Sequence, residues 1–248
     1  MHYAKWQQQF LETNTAKVSR DFWTTFLTGN IVKTIRKETE NKATYASETY
    51  TILGDDFNEI KAFANRIKVS ISVVFMAYHA YVMEQLYKEN IPMQLMLVNG
   101  RERETNGFDT SKVLGVINNV LPMPLRKIEN NSFSDRCIAL QLKYIKARQH
   151  QGIPYETIRT DFIEKSSINI DLLPKSVVNF QQLPGTFTEL NNQLVQRKII
   201  RMNRNLNFDI TCRTKQNGVQ IELLSTLNML EKLKNAALTP TDILKFSI

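Results

Sequence analysis

The fold is decided by residues 207–225, which have the sequence NFDITCRTKQNGVQIELLS. Apolar and polar side chains alternate on both sides of a central turn, a period that indicates two β-strands with one buried face. The apolar members are Phe208, Ile210, Cys212, Val219, Ile221 and Leu223. Between the two runs, Asn217-Gly218 favours a type I′ turn, whose twist matches that of paired strands. The stretch therefore predicts an antiparallel hairpin.

Other apolar runs predict the remaining strands. Short alternating or continuous runs indicate strands at 48–53, 93–98 and 176–183. A further apolar run at 114–125 is interrupted by Pro122 and Pro124, which cannot donate to a strand ladder.

Three-to-four spacing of apolar residues predicts the helices. They lie in the first 27 residues, after a cap at Asp56, at 73–87, at 133–150 and from about 241. Ser132 and Asp135 resemble a capping box at the start of the helix at 133–150. The polar residues 31–47 indicate a mobile connector. Together these elements predict one α+β domain, an α/β sandwich in which long helices pack against a mixed sheet.

Composition excludes several classes of protein. The 248 residues are 42% hydrophobic, which indicates a folded chain with a substantial core. No apolar run is long enough to span a bilayer, and the first residues do not resemble a secretory signal. Two distant cysteines, Cys137 and Cys212, indicate neither a disulfide framework nor a metal site. A reduced, cytoplasmic protein is expected.

The net charge of +8 is compatible with a solvated basic surface or with an acidic partner. The densest basic patch, 196–204, contains little aromatic interleaving, so nucleic acid is not expected as a partner. The three histidines are His2, His79 and His150, and no hydrolase, phosphate-loop, dinucleotide or metal motif accompanies them. His79 is typical of a core histidine, and His150 is typical of a residue that caps a helix C-terminus. We therefore predict neither a catalytic residue nor a metal ligand from these motifs.

Seven local patterns occur in a specific order. They are YAKWQ (3–7) with DFWTTFL (21–27), the apolar helix at 69–86, LVNGR (97–101), LGVINNVLP (114–122), HQGIPYE (150–156), SVVNFQ (176–181) and FDIT (208–211). In this order they resemble the C-terminal lobe of condensation domains of nonribosomal peptide synthetases, a family of the chloramphenicol-acetyltransferase-like superfamily.

The resemblance implies a fold and a function. The whole chain, 1–248, would be one lobe, with 1–28 as the helix that leads in from an absent N-terminal lobe. Two such lobes would enclose a tunnel in which aminoacyl or peptidyl thioesters on carrier proteins are joined by an amide bond. The implied partners are these carrier proteins and the N-terminal lobe, with no membrane and no nucleic acid. No cofactor would bind directly, since the phosphopantetheine arms belong to the carriers.

The chain departs from the family pattern in its catalytic motif. The HHxxxDG motif of the N-terminal lobe is absent, and no two histidines are adjacent. We therefore expect the isolated chain to be inactive. Two milder departures concern pocket detail: Pro124 occupies the usual arginine position, with Arg126 two residues later, and Tyr155 replaces a phenylalanine.

The resemblance also suggests residue roles. Candidates for the tunnel wall are Gly100, Arg101, Asn119 and Gln181. Motif residues expected to be structural are Trp23, His150, Gln151, Pro154, Tyr155 and Asp209. Three of these tunnel candidates have a purely structural alternative. Gly100 could form a turn, and Asn119 and Gln181 could hydrogen-bond backbone groups.

Two other functions remain open. The chain could be a non-catalytic module that docks a carrier protein or a partner enzyme. It could also be a degenerate, stand-alone acyltransferase-like protein whose active site forms between copies, with His150 or His79 as base. If a lobe is missing, we expect apolar or loosely ordered surface around Tyr3, Trp6 and Phe10, and in the polar segment 184–205.

Overall fold

Helices and strands are distributed along the whole chain in the computed structural model. It describes residues 3–31, 44–86, 93–100, 109–114, 117–125, 132–166, 168, 170, 175–182, 187–190, 193–196, 208–215 and 217–246. The helices are α1 (Tyr3–Leu11), α2 (Asn14–Thr28), α3 (Gly54–Arg66), α4 (Ile71–Leu86), α5 (Phe133–Gln149), α6 (Tyr155–Ser166) and α7 (Leu227–Asn235), with 3-10 turns at Thr110–Lys112 and Pro240–Phe246. The strands are β1 (Tyr45–Leu53), β2 (Met93–Asn99), β3 (Asn118–Pro124), β4 (Lys175–Gln182), β5 (Phe187–Leu190), β6 (Gln193–Gln196), β7 (Phe208–Lys215) and β8 (Gly218–Thr226).

The chain divides into two compact units, each built from two separate segments. The first, here the helical unit, comprises Met1–Thr39 and Met83–Lys175. The second, here the sheet unit, comprises Glu40–Val82 and Ser176–Ile248. No described helix is long and apolar enough to cross a bilayer.

The helical unit begins with two helices where the sequence predicted one. Thr13 separates them, because its Oγ1 accepts a hydrogen bond from the backbone N of Ala16 at 3.2 Å and so caps α2. The rings of Tyr3, Trp6 and Phe10 follow one another along α1 with centroids 5.5 Å apart at each step, the first pair tilted by 32° and the second pair stacked. Phe10 is buried, so the expectation that this segment exposes its aromatic side chains is wrong at that residue.

Strands β2 and β3 of the helical unit pair antiparallel, with Leu97 opposite Val120. The prolines that interrupt the apolar pattern do not end β3, since Pro122 and Pro124 lie opposite Leu95 and Met93. Within this unit β3 pairs only with β2, and a strand edge tolerates the missing N–H groups.

Helices α5 and α6 complete the helical unit. The predicted capping box is confirmed, because Ser132 Oγ accepts from the N of Asp135 at 3.1 Å and Asp135 Oδ2 accepts from the N of Ser132 at 3.1 Å. Helix α6 begins at Tyr155, within the HQGIPYE motif (150–156). Pro154 sets this start, since its fixed φ suits the first helical turn and its carbonyl accepts from the N of Ile158.

The larger sheet of the sheet unit contains four of its described strands, in the order β1-β8-β7-β4. Pairing is antiparallel except between β4 and β7, which are parallel, so the predicted mixed sheet with packed helices is confirmed. The hairpin has the predicted register, with Ile210 opposite Leu223 and Cys212 opposite Ile221, all of them buried.

The turn of this hairpin differs from its prediction. Lys215 pairs with Gly218, so the connecting residues are 216 and 217, one position earlier than expected. Gly218 is not among the described residues with positive φ, which a type I′ turn with Gly218 as its second central residue requires. Gly218 serves a close approach instead, because a Cβ there would overlap the carbonyl oxygen of Ile52 on β1.

Several boundaries in the sheet unit also differ from the sequence prediction. Asp56 does not cap α3, which begins at Gly54 with φ +57°, and Asp56 lies in its first turn. Strand β1 begins at Tyr45, inside the predicted connector, whose residues 32–43 lie outside the described part.

Two elements near the end of the sheet unit were not predicted correctly. Helix α7 was missed, although Thr226 caps it by accepting from the N of Met229 at 3.3 Å. The helix predicted from about 241 is the 3-10 turn Pro240–Phe246.

The segment 184–205 contains strands that its polar sequence did not predict. β5 and β6 form a short antiparallel pair, from Phe187 opposite Gln196 to Leu190 opposite Gln193. The expectation of a loosely ordered surface stays a prediction for this segment, since residues 184–186, 191–192 and 197–205 lie outside the described part.

Candidate functional site

Residues 150–154, here the motif loop, are held by side chains from two other elements of the helical unit. Trp23 on α2 donates from Nε1 to the carbonyl of His150 at 3.0 Å. Asn119 on β3 donates from Nδ2 to the carbonyls of Gln151 and Ile153, at 2.6 and 2.7 Å. Three backbone acceptors in four residues are thus satisfied by side-chain donors, which fixes the path of the loop.

The side chain of His150 is half-buried and lies against α2. Its Nδ1 lies 3.0 Å from Ser19 Oγ, and its ring stacks on Phe22 with centroids 3.9 Å apart. Burial lowers the pKa of His150, so the neutral form is favoured at neutral pH. His150 does end α5, as predicted, but as a neutral packed ring and not as a charged cap for the helix dipole.

Asn119 and Gly100 both have backbone roles at the same end of the β2–β3 pair. The Oδ1 of Asn119 accepts from the N of Val120 at 2.8 Å, so donors and acceptor of its amide are all engaged. Gly100 donates to the carbonyl of Ile117 at 2.9 Å, and a Cβ at Gly100 would lie 2.9 Å from Ile117 Cγ2. These contacts agree with the alternative in which Gly100 and Asn119 have structural roles and do not line a tunnel. Arg101 lies outside the described residues.

Ion pairs join α2 to α6 beside the motif loop. Arg20 binds Asp161 through two hydrogen bonds of 2.7 and 2.6 Å, in the fork geometry that makes such pairs specific. The bond to Asp161 raises the pKa of Arg20, and Asp161 is buried. Lys165 and Asp21 add an exposed pair at 3.2 Å. No local pattern predicts Arg20 and Asp161 as partners, because they lie far apart in the sequence.

The motif residues of the sheet unit are Asp209 and Gln181. Asp209 Oδ1 accepts from the N of Val177 at 3.1 Å, across the parallel β4–β7 pair, so it is structural as predicted. Gln181 is half-buried near the end of β4, and its carbonyl accepts from Thr214 Oγ1 at 3.3 Å. A tunnel-wall role for the side chain of Gln181 stays a prediction.

His79 on α4 is a core histidine, as its apolar surroundings predicted. It is 1% exposed, its ring stacks on Phe208 with centroids 5.2 Å apart, and burial lowers its pKa to about 3. A neutral ring with no access to solvent cannot meet a substrate.

The described residues therefore provide a scaffold. Trp23, Asn119, His150, Gln151, Pro154 and Tyr155 come together in the helical unit, whereas Asp209 and Gln181 belong to the sheet unit. Among the described residues, no three His, Cys, Asp or Glu side chains are placed to hold a metal ion. The arrangement can shape a surface; of the two described histidines, His79 is closed to solvent and His150 is half-buried.

A family model agrees with this arrangement of motifs. The model of the condensation domain matches residues 1–225. The chain belongs to the condensation-domain family. A comparison with curated protein sequences finds no relative.

Solved structures show the same fold. The condensation domain of the Monacolin K polyketide synthase MokA is similar with a TM-score of 0.76 and 14% identity, covering 98% of this chain and 60% of that one. VibH, a condensation enzyme of a nonribosomal peptide synthetase, gives 0.75 and 14%, covering 98% and 58%. The X-domain from teicoplanin biosynthesis gives 0.77 and 12%, covering 98% and 58%. The chain thus has the condensation-domain fold and spans no more than 60% of the length of these three chains.

Proposed function

We propose that this chain is the C-terminal lobe of a condensation domain of the nonribosomal-peptide-synthetase type. The observation that carries the proposal is how much of each chain is covered. Almost all of this chain matches, but only 58–60% of each of the three similar solved structures is matched. The HHxxxDG motif, which the family carries in its other lobe, is also missing from this sequence. An N-terminal lobe, joined to the chain or supplied separately, would provide it.

The reaction divides the work between two lobes. The amine of one carrier-bound aminoacyl group attacks the thioester carbonyl of the other, a C–N bond forms, and the C–S bond breaks. The amine loses a proton and the departing thiolate gains one, so the proton acceptor and the donors for the oxyanion decide the rate. The histidine of the absent lobe would supply these, and this lobe would position the two thioesters.

The motif loop supports a positioning role. Side-chain bonds to His150, Gln151 and Ile153 hold its backbone in one path, and a wall for a substrate needs such rigidity. Gln181, and Arg101 by resemblance, are the tunnel-wall candidates that the described backbone bonds do not already explain.

The charge supports docking of acidic carrier proteins. The net charge of +8 would attract an acidic partner, and this attraction weakens as salt screens it. We therefore expect weak carrier binding that falls with ionic strength.

The stand-alone acyltransferase is not supported. Its base would have to be His79, which is 1% exposed, or His150, whose ring is stacked on Phe22 and lies against Ser19. His79 is closed to a substrate that approaches from solvent, while His150 is half-buried with its Nδ1 beside Ser19 and its ring on Phe22, contacts that do not favour it as a base.

The decisive experiment supplies the missing half. Donor and acceptor aminoacyl carrier proteins are incubated with the chain alone, with an HHxxxDG lobe alone, and with both, and dipeptidyl product is measured by mass spectrometry. We expect product only with both lobes, and none when the second histidine of the motif is replaced by alanine.

Two results would contradict the proposal. Turnover by the chain alone would show that this lobe supplies its own base. Salt-sensitive carrier binding without product, although both lobes are folded and bind each other, would favour the non-catalytic docking module.

A further inference from the structure

A stripe of exposed apolar side chains runs along α5. Ile138, Leu142 and Ile145 expose 41%, 58% and 46% of their surface. Their spacing of four and three residues places them on one face, opposite the buried face that carries Leu140 and Ala147. This seam (Ile138, Leu142, Ile145) has the spacing of a helix that packs against another helix, and no described residue covers it.

The charges beside the seam differ at its two ends. Asp135 lies in the first turn of α5, and Lys146 and Arg148 lie in the last. An antiparallel copy of α5 would bring the acidic end of one helix to the basic end of the other. The same arrangement places Leu142 opposite itself and Ile138 within one residue of the level of Ile145 of the other copy, so the seam is complementary to its own copy.

We propose that α5 is a homodimer contact in which two copies pair antiparallel about a two-fold axis near Leu142. Along the helix axes the two copies of Lys146 would be offset by eight residues, about 12 Å, which exceeds the screening length at physiological salt. A parallel pair would place Lys146 beside its own copy and both helix dipoles in the same direction, which is unfavourable. This inference rests on α5 alone and not on the proposed function.

The contact is expected to be weak. One helix face buries less area than a standard protein–protein interface, so the dimer should form only at high protein concentration. Sedimentation velocity between about 10 µM and about 0.5 mM covers the range in which a contact of this size becomes populated.

The first test compares two matched variants. Leu142→Lys puts two like charges on the proposed axis, and Val18→Lys changes another exposed apolar residue, 62% exposed on α2. We expect the wild-type chain and Val18→Lys to shift from monomer to dimer over this range, and Leu142→Lys to remain a folded monomer by circular dichroism. A wild-type chain that stays monomeric throughout overturns the proposal, as does a Leu142→Lys variant that dimerises normally.

The second test fixes the orientation by disulfide formation. Leu142→Cys should crosslink to its own copy, whereas Gln149→Cys should not, because the antiparallel pair separates two copies of residue 149 by about 20 Å. The native thiols of Cys137 and Cys212 are fully buried, which keeps the background low. Crosslinking of both variants would indicate a parallel pair, and crosslinking of neither would indicate no pair; each result overturns the proposal. So would a carrier protein that binds the monomer through Leu142 while no dimer forms.

Discussion

The helical unit and the sheet unit of this chain are stabilised in different ways. In the helical unit, single side chains bond backbone groups or charges far along the sequence, as Trp23 does with His150 and Arg20 with Asp161. In the sheet unit, β1, β8, β7 and β4 share continuous ladders over an apolar core. The helical unit should therefore be sensitive to single polar substitutions, while the sheet unit distributes its stability over many bonds.

The most severe test of this difference is the loss of Trp23. Its side chain is fully buried, and it also donates to the motif loop. Trp23→Ala should lower the free energy of unfolding by about 3–5 kcal/mol, as other large-to-small core changes do. Urea denaturation measures the loss.

Trp23→Phe separates the hydrogen bond of Trp23 from its packing. This variant should lose only about 1–2 kcal/mol, and hydrogen exchange should become faster at 150–153 but not in β7 or β8. Equal acceleration in both units would mean that the hydrogen bond does not act locally.

Asn119 provides a second, smaller test of the helical unit. Asn119→Ala leaves the carbonyls of Gln151 and Ile153 without their donor, which should cost about 2–3 kcal/mol. Asn118→Ala changes an exposed neighbour on the same strand and should cost less than about 0.5 kcal/mol. If the two variants unfold at the same urea concentration, the bonds to the loop contribute nothing.

A change of pH should act mainly on the sheet unit. Burial lowers the pKa of His79 to about 3, so the folded state binds this proton less well than the unfolded state. The stability that depends on neutral His79 is complete above about pH 6.5 and is lost as the pH falls toward the folded pKa, about 2 kcal/mol by pH 5.

Two substitutions assign this pH dependence. His79→Leu should flatten the profile of unfolding free energy against pH more than His150→Gln does. The pKa of His150 is also lowered, but His150 is less buried than His79 and should contribute less to this profile. A wild-type profile that is level between pH 7.5 and 5 would show that neither histidine changes its protonation on folding in this range.

The smallest expected effects are gains in the sheet unit. Lys68 and Ala237 follow α3 and α7 with φ of 57° and 50°, a left-handed conformation that favours glycine. Val69 and Leu238 then bond back to the carbonyls of Ala64 and Leu233, as in a Schellman motif.

Lys68→Gly and Ala237→Gly should each raise the free energy of unfolding by about 1 kcal/mol. Gly54→Ala, at φ +57° and with open space around its Cβ, should lower it by a similar amount. Thermal unfolding measures all three, and a loss of stability on introducing glycine at 68 or 237 would contradict the account.

Sequence patterns predicted the elements whose signals are local. The hairpin register of Ile210 with Leu223, the capping box at Ser132 and the core position of His79 all follow from neighbouring residues. The break between α1 and α2 was missed because apolar spacing continues across it, and only the hydroxyl of Thr13 marks it. The turn at 217–218 was misplaced because Gly218 is needed for the approach of β1, which lies far away in the sequence.

The candidate site was predicted in its members but not in its contacts. The family pattern indicated Trp23, Asn119 and His150, yet only the structure shows that Trp23 and Asn119 bond the same loop. The pair of Arg20 and Asp161 could not be predicted, since neither residue stands in a recognisable motif and their partnership depends on how α2 and α6 pack.

The pairing of β1 with β8 affects how the protein is made. Leu53 is paired with Gly218, so β1 leaves the ribosome about 165 residues before its described partner does. At about 5–20 residues per second, the nascent chain carries this strand without β8 for roughly 10–30 s. During that interval the strand edge is open to other chains, so slow translation before residue 218, or a stop codon there, should send this protein to chaperones and aggregates more readily than a defect after β8.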